Sequence, residues 1–113
     1  MRAPPFLLLA IALGPFAAPA HDALAGGGAP DASAGHAFAA AQCGACHATD
    51  ETGASPVEAA PPFREVARRW PLDSLAEALA EGIVTGHPAM PETVMSPDQI
   101  DDFLAYLDAL NRT

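Results

Sequence analysis

The sequence predicts an all-α domain on three observations. Apolar residues recur at helical spacing, no stretch alternates as a strand requires, and prolines fall between the periodic segments. Residues 35–47 hold alanines and Phe38 without a proline, which predicts a helix running into Cys43. Residues 48–61 carry Gly53, Pro56 and Pro61 and read as loop. Phe63 to Trp70 predicts a short helix stopped by Pro71. In the next helix Leu72, Leu75, Ala76 and Leu79 recur at helical spacing, and Gly82 stands where a left-handed C-cap residue belongs.

The last helix is the best specified. Ser96-Pro97-Asp98-Gln99 supplies a capping hydroxyl, a proline at the first helical position and a glutamine three residues after the cap. Ile100, Phe103, Leu104, Leu107 and Leu110 then form one apolar stripe. Between Gly82 and Ser96, Pro88 and Pro91 rule out a helix and favour an extended loop.

With 113 residues the chain has room for one domain. Half of it is hydrophobic, but alanine supplies much of that share and buries little area per residue. A domain this small benefits from a staple, such as a metal, a disulfide or a cofactor. Residues 1–34 read as lying outside the domain. Arg2 gives a positive start, Phe6 to Ala18 is apolar, and Ala18-Pro19-Ala20 and Ala23-Leu24-Ala25 each have the small-x-small form of a cleavage site. Residues 1–20 are therefore expected to be a cleaved signal peptide, with cleavage falling as late as 25 in the alternative. The apolar stretch falls short of the roughly 20 residues that span a bilayer, so no stable membrane span is expected in the mature chain. Residues 21–34, centred on Gly26-Gly27-Gly28, read as a flexible leader, which leaves 35–113 as the folded domain.

Charge is one-sided. Fourteen acidic residues face five arginines and no lysine, for a net charge of −9. Such a field disfavours nucleic acid and steers the protein toward basic surfaces on partners.

Cys43-Gly44-Ala45-Cys46-His47 is C-x-x-C-H, the attachment pattern of haem c. Sulfurs at i and i+3 of a helical turn point to one side and reach the two vinyl groups of one porphyrin. The next residue lies beneath the ring, where an imidazole nitrogen binds iron. A thioredoxin-like disulfide expects a strand before the motif, whereas the sequence there is helical. A structural zinc site wants four ligands, and no second Cys/His pair has finger-like spacing. For the sixth ligand the choice is Met90, whose flanking Pro88 and Pro91 reduce the loop's freedom and hence the entropy of holding a weak thioether. Met95 is the rival, although it directly precedes the Ser96 cap and is expected to pack there. His87 is a third candidate, while His21 and His36 read as solvated.

Gly35, Phe38, the Cys43–His47 motif, Pro61-Pro62-Phe63, His87-Pro88-Ala89-Met90-Pro91 and a closing helix with Phe103 and Tyr106 together resemble the small class I c-type cytochromes of bacteria. The resemblance covers about residues 34–110. It implies a cytochrome c-like fold, three main helices and loops wrapped around one covalently bound haem, with the first and last helices crossing near Gly35, Phe38 and the final aromatics. By the same resemblance His47 and Met90 look like the axial pair. The Pro61 carbonyl looks like the acceptor for the other nitrogen of His47. One departure stands out: the lysine ring of mitochondrial-type members is absent, so partner docking must differ. Arg64, Arg68, Arg69 and Trp70 are candidates for the haem propionates, and a solvated helix face explains the arginines equally well.

Filled axial positions imply a periplasmic electron carrier rather than an enzyme. The alternatives are a haem enzyme subunit or gas-binding protein with an open sixth position, and a haem-free dithiol module.

Overall fold

A computed structural model describes residues 28–83 and 87–113, together with positions 1 and 14. The helices are α1 (Ala32–Gln42), α2 (Phe63–Arg69), α3 (Leu72–Glu81) and α4 (Pro97–Asn111), and the described residues contain no strand. Among the described residues the architecture is all-α, as expected. Most of the expected signal peptide and leader lies outside the described residues, as do positions 84–86 of the loop before Met90.

α1 begins earlier than the apolar pattern suggests. Asp31 caps it, the carboxylate accepting the N–H groups of Ser33 and Ala34 at 2.8 and 3.2 Å. Its charge also suits the positive end of the helix dipole. The last residues of the expected leader are therefore the cap and first turn of the domain. α1 ends at Gln42 and runs into Cys43 as expected, and the chain turns tightly from Cys43 onward. α2 and α3 start after Pro62 and Pro71, and α3 gives way to Gly82 at φ 94°. At α4 the full capping box forms: the Ser96 hydroxyl accepts the Gln99 N–H at 3.3 Å, and the Ser96 N–H donates to Gln99 Oε1 at 3.0 Å.

α4 packs against each of the other three helices. Its Ile100, Phe103, Leu107 and Leu110 are buried with Ala39 of α1, Phe63 and Ala67 of α2, Leu79 of α3, and Met95. Each large apolar side chain so buried contributes about 1.5–3 kcal/mol.

The α1–α4 crossing is backbone against backbone. A Cβ on Gly35 would stand 2.0 Å from the Asp102 carbonyl oxygen and 2.9 Å from the Phe103 nitrogen. The Asp31 N–H donates to the Asp102 carboxylate at 2.7 Å, and Phe38 and Tyr106 pack against the core. Because the atoms that block a side chain belong to the backbone, no rotamer change can make room. Gly35→Ala is expected to lower unfolding free energy by about 3 kcal/mol in urea titrations. A loss under about 0.5 kcal/mol, the range of ordinary surface changes, would contradict the crossing.

Candidate functional site

The Cys43 carbonyl accepts the N–H groups of both Cys46 and His47, at 3.2 and 3.0 Å. The motif thus closes into a single turn at the end of α1. Its two thiols are half-buried and not joined to each other. Burial, and after it the neighbouring Cys46, pushes the Cys43 thiol up from its ordinary value.

His47 is held on two sides. Its Nδ1 lies 2.7 Å from the Pro61 carbonyl oxygen. A carbonyl can only accept, so Nδ1 carries the proton and the lone pair of Nε2 is left for another partner. The imidazole also meets the Phe63 ring at 4.9 Å and 33°, and Phe63 in turn abuts Phe103 edge-on at 5.4 Å. The following loop is laced to the motif: Phe63 N–H donates to the Ala48 carbonyl at 2.9 Å, Val57 N–H to the Cys46 carbonyl at 3.1 Å, and Ala48 N–H to the Ser55 hydroxyl at 3.0 Å.

The two methionines near α4 have different situations. Met95 is 5% exposed, sits in the core, and its N–H donates to the Leu79 carbonyl at 3.3 Å. Met90 is 37% exposed, so its thioether is not committed to packing. The segment is not the extended loop its prolines suggest, since the Met90 N–H closes a turn on the His87 carbonyl at 3.0 Å. Proline forbids continuation of a helix but not a single turn. His87 is exposed and lines an open cleft of about 490 Å³ with Pro61, Pro62, Glu65, Arg69 and Trp70.

The arginines divide. Arg68 is exposed, and Arg69 pairs with Glu65 at 3.2 Å one helical turn away. Arg64 donates from Nη2 to the Gly53 carbonyl at 2.8 Å, while its buried Nη1 has no acceptor. A buried donor without an acceptor costs about 1–3 kcal/mol.

One cluster escaped the sequence reading. His36 is not simply solvated: its Nε2 lies 2.7 Å from Asp50 Oδ1, and its ring stacks on Tyr106 at 4.7 Å. The Tyr106 hydroxyl donates to the Thr49 carbonyl. α1 and α4 thereby clamp the residues that directly follow His47. A Gly/Ala-rich helix offered no sign of this, because His36 and Asp50 lack a local spacing rule.

This donor set fits a porphyrin-borne iron better than a bare ion. Among the described residues no group of three or more His, Cys, Asp or Glu side chains could hold a metal ion. Two thiols in one turn and, directly after them, an imidazole with Nε2 available match what haem c asks for. A family model described as cytochrome c oxidase, cbb3-type, subunit III matches residues 30–107. No curated protein and no solved structure matches the chain.

Burial first, then the negative Asp50 and Glu51, raise the Tyr106 hydroxyl above its ordinary 10.0. The unfolded chain therefore releases this proton before the folded one. Stability from this group is complete below about pH 10 and is lost as pH rises from there through the folded value. Tyr106→Phe should cost about 1 kcal/mol at neutral pH and flatten the alkaline decline, read by thermal unfolding from neutral to about pH 11. An alkaline slope identical in both proteins would refute the assignment.

Proposed function

The chain belongs to the cbb3-type cytochrome c oxidase subunit III family of small c-type cytochromes, and from this premise we propose that it carries single electrons on one covalent haem c with His47 and Met90 as axial ligands. The observation that carries this reading is the His47 imidazole, tied through Nδ1 to Pro61 with Nε2 left over, in the same turn as two free thiols. Bound there, haem supplies a reversible one-electron change at iron.

The chain's own residues do the rest. Cys43 and Cys46 would form the thioether anchors. Pro61, by accepting from Nδ1, fixes the tautomer and the ring orientation of His47. Met90 would supply the second protein ligand from a turn stiffened by Pro88 and Pro91. A neutral imidazole with a thioether favours the ferrous state more than two imidazoles would, which raises the potential. His47 and Met90 together would leave no open position at the iron for a substrate, which favours an electron carrier over an enzyme.

We assign residues 1–20 as the signal peptide, cleaved as late as 25, and the periplasm as the working compartment. The domain assigned from 35 gains the Asp31 cap and first turn of α1. No helix among the described residues is long and apolar enough to cross a membrane. Redox partners with basic docking surfaces suit a chain of net charge −9, and nucleic acid does not.

The test is an absorption spectrum of protein from a haem-competent host, oxidised and then reduced, beside Met90→Ala and Met95→Ala. We expect sharp α and β bands on reduction and a weak sulfur-to-iron charge-transfer band when oxidised. That band should vanish in Met90→Ala, which should then bind carbon monoxide, and persist in Met95→Ala. A high-spin spectrum in the unaltered protein would instead favour a ligand-binding haem protein with an open sixth position.

A further inference from the structure

The segment that bears Met90 is fastened to the end of α3 at two points. The first is Gly82, where α3 ends. Its φ of 94° and ψ of 110° belong to a region that only glycine enters without strain. The side chain of Glu92 lies against this bare backbone: a Cβ on Gly82 would stand 2.5 Å from Glu92 Oε1 and 3.2 and 3.3 Å from its Cγ and Cδ. The second point is Met95, whose N–H donates to the Leu79 carbonyl at 3.3 Å and whose side chain is buried with Leu79 and Ile100. Between His87 and Met90 the chain closes its own turn at 3.0 Å.

We propose that Gly82 is a positioning residue for the sixth ligand, because it is both the place where the chain leaves α3 and the surface on which Glu92 returns. The inference rests on Met90 being that ligand. A thioether is a weak ligand, so its retention depends on how little freedom the segment carrying it has. A methyl group at Gly82 acts twice. It cannot sit at this φ without strain, so the backbone leading out of α3 must rotate. It also displaces the stem of Glu92, two residues beyond Met90. The carboxylate end of Glu92 is flexible and can swing aside, which makes the φ constraint the larger effect. Met95 keeps the far end in place throughout, so the damage is confined to the ligand's presentation.

The experiment titrates imidazole, a competitor for the ferric iron, into the haem-loaded protein and its variants while the charge-transfer band is followed. Gly82→Ala should bind imidazole about tenfold more tightly than the unaltered protein, the scale of strain at a glycine-only conformation. Glu92→Ala, which imposes no backbone strain, should shift affinity the same way by about threefold, the scale of losing one ordering contact. Glu92→Gln keeps the stem and should leave the affinity unchanged. The far-UV helical signal should melt as in the unaltered protein, or well after the charge-transfer band has faded. Met90→Ala separates the two claims. A band that survives that substitution sinks the ligand assignment and this inference with it. A band lost there, but with unaltered imidazole affinity in Gly82→Ala and Glu92→Ala, overturns the positioning role alone. Should Gly82→Ala fail to fold, unaltered affinity in Glu92→Ala suffices to overturn it.

Discussion

Gly35 meets the backbone of Asp102 with no room for a Cβ, and the path of the chain to its reactive turn depends on that contact. Two helices that approach so closely have little freedom to slide, because the blocking atoms are peptide groups. Asp31 strengthens the crossing twice, as the cap of α1 and as the donor to the Asp102 carboxylate. α1 then has one direction to run, and its end delivers Cys43 to the surface of the core. On the other side of the motif, Tyr106 of α4 holds Thr49 and His36 of α1 holds Asp50. The same helix pair thus restrains the chain both before and after the two cysteines.

The motif joins the core through rings rather than aliphatic packing. His47 rests on Phe63, and Phe63 on Phe103, so the histidine's orientation is part of the packing between α2 and α4. The Pro61 carbonyl adds directional control that packing alone lacks. Around this arrangement several large apolar side chains stay outside the core, among them Trp70 at 45% and Val94 at 66% exposure. A short chain rich in alanine has few large side chains with which to cover such residues.

What could be read from the sequence was local. C-x-x-C-H, the Ser96–Gln99 box, the stop at Pro71 and the positive φ of Gly82 each rest on residues within a few positions of one another. Met95 was assigned to packing for a local reason too, its place before the Ser96 cap, and it is buried in the core. The misses have three sources. One came from composition: Asp31 is a good cap, but a Gly/Ala/Pro-rich leader masked it. Others came from distance. Asp31 and Asp102 lie 71 positions apart, and nothing in either neighbourhood announces the bond. Arg64 reaching the Gly53 carbonyl, and His36 reaching Asp50, belong to the same class. The turn at His87–Met90 failed for a third reason, since proline excludes helices far more firmly than it chooses among the remaining conformations.

The central proposal is that Cys43 and Cys46 would hold one haem covalently, with His47, already oriented by Pro61, as a ligand. The most direct measurement is the intact mass of the denatured protein after production in a haem-competent host, with thiol alkylation on the same sample. The account predicts an added mass of one haem that survives denaturation and no alkylated cysteine. A chain of unaltered mass whose two thiols alkylate, or form a disulfide, would contradict it.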